Sequence, residues 1–166
     1  MRIAETKLYT YDELGDSAKR KVLEEVSTWD LYFWDRENSE SFDEFVKFVG
    51  AYNSDYQYGI WGYSFAKISV NEPYNMTVEE WVKDSAWLIE KDCPFTGYYM
   101  DEEILQPMRN YLKSPDDRTF QELVNDCADA WVEACKRDIE YAYSEEAIVE
   151  FLTANEYEFT ENGKVW

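Results

Sequence analysis

The chain has 166 residues, of which 36 are Asp or Glu and 16 are Lys or Arg, so its formal net charge is −20. A protein this acidic repels nucleic acids and anionic membranes over most of its surface, and we expect its partners to be basic proteins. The sequence contains no histidine. Because histidine is the commonest general base and metal ligand, its absence argues against an enzyme and favours a binding protein.

The composition indicates a folded protein of the cytoplasm. Aromatic residues make up 18% of the chain, enough to build a core, and we expect a single acidic domain over residues 1–166. No apolar run reaches the roughly 18 residues of a membrane span, and residues 1–10 lack the apolar stretch of a signal peptide. The three cysteines, Cys93, Cys127 and Cys135, fit neither a disulfide framework nor a zinc motif. We therefore expect a cytoplasmic protein that holds no metal and no cofactor.

Hydrophobic periodicity and capping residues predict the elements of the first half of the chain. In order, these are a strand over 7–11, a helix over 17–29, an aromatic connection over 29–38, a helix over 41–52 and two antiparallel strands over 56–70. Asp16 is the expected N-cap of the first helix. The second helix is expected to begin at Ser41, because Ser41 and Glu44 have the spacing of a capping box, and to end at residues 53–55.

The second half of the chain is mainly helical in pattern. The predicted elements are helices over 77–91, 101–112, 119–143 and 144–154, followed by a hairpin near the C-terminus. Thr77 and Glu80 form a second capping box, and Pro107 predicts a kink or a separate first turn in its helix. The dipeptide Asn162–Gly163 favours a tight two-residue turn. Together these elements predict an α+β fold: one compact domain with five or six helices, a small antiparallel sheet and a C-terminal hairpin.

The helix over 119–143 carries a row of acidic side chains. At 100° per residue, five carboxylates fall within a narrow sector opposite the apolar face, and we call them the carboxylate row: Glu122, Asp126, Asp129, Glu133 and Glu140. Like charges three and four residues apart destabilise a helix by about 0.2–0.5 kcal/mol per pair. The row is either a solvated face that the core tolerates or a ladder of anions presented to a positively charged partner.

Other candidates for partner contact lie outside this helix. The further carboxylates belong to an acidic helical first turn and to the C-terminal segment: Asp101, Glu102, Glu103, Glu156 and Glu158. The aromatic candidates lie in predicted loops: Trp34, Tyr98 and Tyr99. Asp138 falls on the apolar side of the long helix. A carboxylate there needs a hydrogen-bond donor, so we assign Asp138 a structural role.

Three segments of the chain resemble a protein family. They are YTYDELGDSAKRKVLEEV near the N-terminus, DCPFTGYYMDEEILQPMRNYL in the interior and YSEEAIVEFLTANEYEFTENGKV near the C-terminus. These segments are similar to parts of small acidic proteins encoded by bacteriophages and prophages, some of them described as antitoxin-like. The family supplies no catalytic motif. The resemblance implies an origin in a mobile element and favours a protein that blocks a host enzyme.

These observations lead to one expected function and two alternatives. We expect a phage- or prophage-encoded stoichiometric inhibitor of a bacterial nucleic-acid-binding defence enzyme, of the anti-CRISPR or anti-restriction type. It would act as an acidic nucleic-acid mimic in a basic groove and would itself bind neither nucleic acid nor membrane. The alternative is an antitoxin or regulatory protein that neutralises a basic cognate toxin. A metal-dependent enzyme that uses only carboxylates is a third hypothesis, disfavoured because the sequence carries no nucleophile–histidine pair and no phosphate-binding loop.

Overall fold

A computed structural model describes residues 6–166 of the chain. Over those residues it contains seven α-helices and a two-stranded antiparallel sheet, which confirms the predicted α+β class. None of the described helices is both long and apolar enough to cross a lipid bilayer. The residues group into two compact units, one formed by 34–139 and the other by the residues up to 33 together with 140–166. One domain over 1–166 stays a prediction.

The helices and strands follow one another in this order: α1 (Asp16–Val26), α2 (Asp35–Phe48), β1 (Asn53–Gln57), β2 (Phe65–Ser69), α3 (Val78–Asp84), α4 (Ala86–Ile89), α5 (Met100–Lys113), α6 (Phe120–Ala142) and α7 (Glu145–Ala154). A 3₁₀ turn over Tyr11–Glu13 precedes α1. The seventh helix, compared with the five or six expected, arises because the predicted helix over 77–91 is divided at Ser85 into α3 and α4.

The core of the unit 34–139 is built around Trp131 of α6, which is fully buried. Its ring lies 4.6 Å from the ring of Phe42 on α2 and 5.0 Å from the ring of Tyr56 on β1, measured between centroids. Its indole N–H donates to the carbonyl oxygen of Asn38 at 3.2 Å. Because buried indoles need both apolar contact and an acceptor, Trp131 fixes the rotation of α6 in this unit. The opposite face of α6 is thereby left to solvent.

The start and end of α2 differ from the prediction. The helix begins at Asp35, and Ser41 is buried inside it, with its hydroxyl 3.2 Å from the hydroxyl of Thr96. The Ser41–Glu44 spacing is therefore not a capping box. The helix ends where Gly50 takes a left-handed φ of 64°, and the Ala51 N–H donates back to the Val46 carbonyl at 3.1 Å. This Schellman motif stops the helix early, so residues 53–57 pair in β1.

Two other helices of this unit follow their sequence signals closely. At the start of α3 the Glu80 N–H donates to the Thr77 hydroxyl at 3.2 Å, and the Thr77 N–H donates to the Glu80 carboxylate at 2.7 Å. The second predicted capping box is thus confirmed. Helix α5 runs continuously from Met100 to Lys113 with Pro107 inside it, so its first turn is not a separate piece.

In the other unit, α1 and α7 enclose a smaller core whose buried members include Val22, Val26, Ile148, Leu152 and Phe159. Gly15, not Asp16, is the N-cap of α1, and Asp16 is its first helical residue. The strand predicted over 7–11 is reduced to one bridge, in which Tyr9 and Phe159 exchange backbone hydrogen bonds of 2.9 and 2.8 Å. The 3₁₀ turn beginning at Tyr11 ends the extended backbone there.

The predicted C-terminal hairpin is present, but with a longer turn. An antiparallel bridge joins Phe159 to Val165, and the Gly163 N–H donates to the Thr160 carbonyl at 2.8 Å. Gly163 has a left-handed φ of 80°, which is typical of a three-residue loop with a bulge and not of the two-residue turn expected from Asn162–Gly163. A Cβ at Gly163 would lie 2.5 Å from the Ala18 carbonyl oxygen, so glycine is required on two grounds.

Candidate protein-binding surface

Four members of the carboxylate row lie in the unit 34–139, and all four side chains are exposed: Glu122, Asp126, Asp129 and Glu133. They occupy one face of α6 at intervals of four, three and four residues. At 1.5 Å per residue, the helix axis between the first and the last rises by about 16 Å. The helix backbone holds the four Cα atoms in a row, and the buried Trp131 sets the side of α6 on which they lie, so negative charge is concentrated on one face.

The members of the row differ in how far neighbouring groups satisfy them. Glu122 accepts a hydrogen bond from the Thr119 N–H at 2.8 Å and therefore caps the helix. Asp126 accepts a hydrogen bond from the guanidinium of Arg118. Within the described residues, no Lys or Arg nitrogen lies within salt-bridge distance of Asp129 or Glu133. The middle of the row therefore presents uncompensated charge.

Asp129 shows the consequence of this crowding of carboxylates. Partial burial raises the pKa of Asp129, and the negative charges of Asp126 and Glu133 raise it further. Like charges three and four residues apart on a helix repel one another and destabilise it. The helix keeps the arrangement at a cost in stability, which its buried face offsets.

The acidic first turn of α5 has a different role from the one expected. Asp101 is 0% exposed and is inaccessible to a partner. Its carboxylate accepts hydrogen bonds from the backbone N–H groups of Phe95, Thr96 and Gly97, at 2.9, 2.7 and 3.3 Å. Because each charge-assisted bond of this kind is strong, Asp101 holds the loop before α5 in place. The assignment of Asp101 to a binding surface is corrected accordingly.

Glu102 and Glu103 are also engaged within the protein. The guanidinium of Arg109 donates two hydrogen bonds to Glu102, and this bonding lowers the pKa of the Glu102 carboxyl. Glu103 pairs with Arg137 of α6 at 3.2 Å. Both carboxylates are half-buried. Their charges are largely neutralised by these guanidinium groups, so they add little to the potential that a partner meets.

The three aromatic candidates come together in one cluster, although Trp34 is distant in sequence from the other two. The rings of Trp34 and Tyr98 stack with centroids 5.7 Å apart, and Tyr98 meets Tyr99 edge to face at 4.7 Å. Trp34 is 50% exposed and Tyr99 is 38% exposed. We call Trp34, Tyr98 and Tyr99 the aromatic cluster. Half-exposed, mutually packed rings of this kind are common at the energetic centres of protein interfaces.

Asp138 lies beside this cluster and is half-buried. It takes a hydrogen bond from the Tyr99 phenol, which raises the pKa of that phenol in addition to the larger effect of its burial. Burial, followed by the charge of Asp138, also raises the pKa of Tyr98, to about 12. Asp138 has the hydrogen-bond donor that its position on the apolar side of α6 requires, in keeping with a structural role.

Two highly exposed aromatic residues are absent from the predicted partner contacts, because the sequence pattern places them in strands. Trp61 is 90% exposed and Tyr63 is 78% exposed, and both belong to the loop between β1 and β2. The ring of Tyr63 stacks on Phe65 at 6.0 Å. The glycines Gly59 and Gly62 are the sequence feature that indicates a loop here, because Gly62 takes a φ of 112°, which residues in strands do not adopt.

The three remaining candidates for partner contact belong to the other unit. Glu140 lies near the C-terminal end of α6, and Glu156 and Glu158 follow α7; all three are exposed. Glu156 has a left-handed φ of 54°. Their part in partner contact stays a prediction.

Two of the three cysteines lie in the core. Cys127 and Cys135 are fully buried, and burial raises the pKa of both thiols, which keeps them protonated and unreactive. Within residues 6–166, no group of three or more Cys, Asp or Glu side chains is arranged to hold a metal ion. The chain matches no protein-family model, no curated protein sequence and no solved structure. We therefore infer function from the residues and their geometry.

Proposed function

We propose that the chain is a stoichiometric inhibitor of a bacterial nucleic-acid-binding defence enzyme, such as a CRISPR effector or a restriction nuclease. The observation that carries the proposal is the exposed array Glu122, Asp126, Asp129 and Glu133 on one face of α6. Its centre, at Asp129, has its pKa raised by burial and by the two flanking carboxylates. Cationic groups in a basic groove would offset the repulsion between Asp129 and the two flanking carboxylates. The relief of this repulsion would then contribute favourably to the free energy of binding.

The array is comparable with a nucleic-acid backbone in spacing, although less dense. Four charges over a rise of about 16 Å correspond to one charge every 5 Å or so, whereas a DNA strand carries one phosphate per about 3.4 Å. The helix therefore follows part of a phosphate track and does not reproduce a duplex. The net charge of −20 adds long-range attraction to any basic groove and speeds association.

Apolar contact is supplied by the aromatic cluster of the same unit. Charge complementarity alone gives fast association more than high affinity. Trp34 and Tyr99, both partly exposed, offer the aromatic anchors on which affinity usually depends. In the proposed mechanism the carboxylate row steers and orients the target, and the aromatic cluster contributes to a slow dissociation rate.

The origin of the chain in a phage or prophage belongs to the proposal and is supported by the resemblance of its segments to phage-encoded acidic proteins. Such elements gain from blocking the nucleases that would destroy their genomes. An antitoxin that neutralises a basic toxin uses the same chemistry, because an acidic array and aromatic anchors suit any basic protein surface. The two functions differ in the identity of the target.

The proposal is tested by titrating the chain into DNA-cleavage assays with a panel of purified restriction nucleases and CRISPR effectors. We expect complete inhibition of one enzyme class at a one-to-one ratio, relieved by excess substrate DNA. The variant Asp126→Asn/Asp129→Asn/Glu133→Gln removes three charges of the array and keeps the helix cap at Glu122. It should raise the half-inhibitory concentration about tenfold or more, because each lost ion pair costs about 0.5 kcal/mol or more.

A matched control removes the same number and types of charge elsewhere in the same unit. Asp43, Asp55 and Glu90 are all exposed and lie outside α6, so Asp43→Asn/Asp55→Asn/Glu90→Gln tests for net charge alone. Its potency should stay within about twofold of the wild type. If the two triple variants lost inhibitory potency equally, the effect would depend on net charge alone, and this result would contradict nucleic-acid mimicry by the carboxylate row. A chain that inhibits no nuclease but rescues cells from a basic toxin would favour the antitoxin.

A further inference from the structure

A pocket of about 630 Å³ opens in the unit formed by the residues up to 33 and 140–166. Tyr11 and Asp12 form one wall, and residues from the end of α7 onward form the other. Pockets that bind small molecules commonly have volumes of about 300–1,000 Å³. The volume is therefore sufficient for a small ligand, and no residue of the carboxylate row belongs to its lining.

Backbone hydrogen bonds hold both walls of this pocket. The bridge between Tyr9 and Phe159 ties the N-terminal segment to the C-terminal one. At the end of α7 the Tyr157 N–H donates to the Leu152 carbonyl at 3.0 Å, and the Glu156 N–H donates to the Thr153 carbonyl at 3.1 Å. These two bonds form a Schellman motif, which fixes the direction in which the chain leaves the helix. The pocket is thus built into the fold and is not a gap between loose loops.

The charge of the lining is of one sign. Asp12, Glu156 and Glu158 contribute three exposed carboxylates, and the C-terminus of α7 adds the negative end of a helix dipole. Within the described part of the chain, no lysine or arginine lines the pocket. Lys19 and Arg20 line a neighbouring hollow that shares Tyr11 with the pocket, and the Lys19 ammonium lies 5.5 Å from the centroid of the Tyr11 ring. The electrostatic potential of the pocket therefore favours a positively charged occupant.

The remaining lining combines apolar or aromatic residues with two hydroxyl groups: Tyr11, Leu152 and Tyr157, and the threonines Thr10 and Thr153. Leu152 is buried, and the ring of Tyr157 is held between Trp29, at 5.5 Å, and Phe151, at 5.7 Å, measured between centroids. Aromatic faces attract ammonium groups and also pack against methylene groups. A strongly hydrated metal ion gains nothing from such a surface. The combination suits an organic cation with an aliphatic stem.

We propose that this pocket binds a small alkyl amine of the polyamine class. Its ammonium groups would lie at Asp12, Glu156 and Glu158, and its methylene stem would pack on Leu152 and Tyr157. The proposal is independent of the proposed inhibitor function, since it concerns another unit and another set of residues. It also gives a role to Glu156, a left-handed residue at the position where a Schellman motif ordinarily places glycine.

Isothermal titration calorimetry of the full chain with spermidine, at physiological salt, tests this proposal. We expect saturable one-to-one binding that equimolar Mg²⁺ does not displace. The variant Glu156→Gln/Glu158→Gln should weaken the affinity about fivefold or more, as expected for the loss of two ion pairs. Both side chains are exposed, so the variant is expected to fold, and circular dichroism checks that it does.

The control distinguishes the pocket from the diffuse attraction that any acidic protein exerts on cations. Glu24 and Glu25 are exposed residues of α1 in the same unit, and neither lines the pocket. Glu24→Gln/Glu25→Gln should bind spermidine within about twofold of the wild type. Equal weakening in the two double variants, displacement by Mg²⁺, or the absence of saturable binding to the wild type would each overturn the proposal.

Discussion

The unit 34–139 contains two acidic segments that differ in how many hydrogen-bond donors the protein supplies to their carboxylates. In the first turn of α5, the carboxylates of Asp101, Glu102 and Glu103 accept hydrogen bonds or ion pairs from backbone N–H groups and from arginines of the same unit. In the middle of α6, Asp129 lies between two further carboxylates, whose charges raise its pKa. A carboxylate presents its full charge to a partner where the described part of the protein supplies no donor of its own, as at Asp129 and Glu133, and hydrogen bonding decides this more than acidity does.

The largest expected effect is the loss of stability on replacing Asp101. Asp101→Ala leaves three backbone N–H groups of residues 95–97 without their acceptor, in a buried site. We expect the free energy of unfolding to fall by about 3 kcal/mol or more, as measured by urea denaturation. Asp101→Asn retains an acceptor oxygen and should cost less. A loss below about 1 kcal/mol for the alanine variant would mean that the loop before α5 does not depend on this carboxylate.

A smaller and pH-dependent effect is expected at Glu102. Hydrogen bonding from Arg109 lowers the pKa of Glu102 below its ordinary value of 4.5, so the folded state favours the charged form. The interaction therefore stabilises the protein above the ordinary pKa and is lost as the pH falls through the lowered one. Glu102→Gln should lower the free energy of unfolding by about 1 kcal/mol at neutral pH.

The same comparison carried out from pH 7 down to acid pH tests this linkage. The difference between wild type and Glu102→Gln should shrink as the wild-type carboxyl takes up its proton. Arg109 also donates to the carbonyl oxygens of Ile89 and Lys91, so the variant keeps part of the network and should fold. A stability difference that is constant over this pH range would show that charge is not the source of the stabilisation.

The smallest effect, with the opposite sign, is expected at Asp129. Burial and the charges of Asp126 and Glu133 raise its pKa, so the charged form is less favourable in the folded state than in the unfolded chain. Because solvent screens the charges on this exposed face, Asp129→Asn should raise the free energy of unfolding only slightly at neutral pH, by at most about 0.5 kcal/mol. The gain should disappear at acid pH, where the wild-type carboxyl is protonated. If the variant were less stable than the wild type at neutral pH, repulsion between these carboxylates would not be what destabilises the folded state.

The long helix and its exposed row could be predicted from sequence because both depend on periodicity alone. Apolar residues recur along α6 without interruption, and helix geometry then places Asp126, Asp129 and Glu133 on the opposite face. The start of α3 was predictable for a similar reason, since the Thr77–Glu80 capping box is entirely local.

Features that depend on donors elsewhere in the fold could not be predicted in this way. The Ser41–Glu44 spacing fits a cap, but α2 already begins at Asp35, and the buried Ser41 hydroxyl meets the Thr96 hydroxyl instead of a helix N-terminus. Asp101 fits a solvated first turn, but the preceding loop folds back and offers it three N–H groups. The meeting of Trp34 with Tyr98 likewise joins positions far apart in sequence.

The salt dependence of inhibition by the wild type and by Asp126→Asn/Asp129→Asn/Glu133→Gln tests most directly whether the carboxylate row binds a basic groove. The inhibition constant against the target nuclease is measured from about 0.01 to 0.15 M salt, over which the Debye length shortens from about 30 to 8 Å. If the row binds a basic groove, the wild type should weaken steeply with salt, and the variant should show a markedly shallower dependence. Parallel curves for the two proteins would contradict a role for the row in binding.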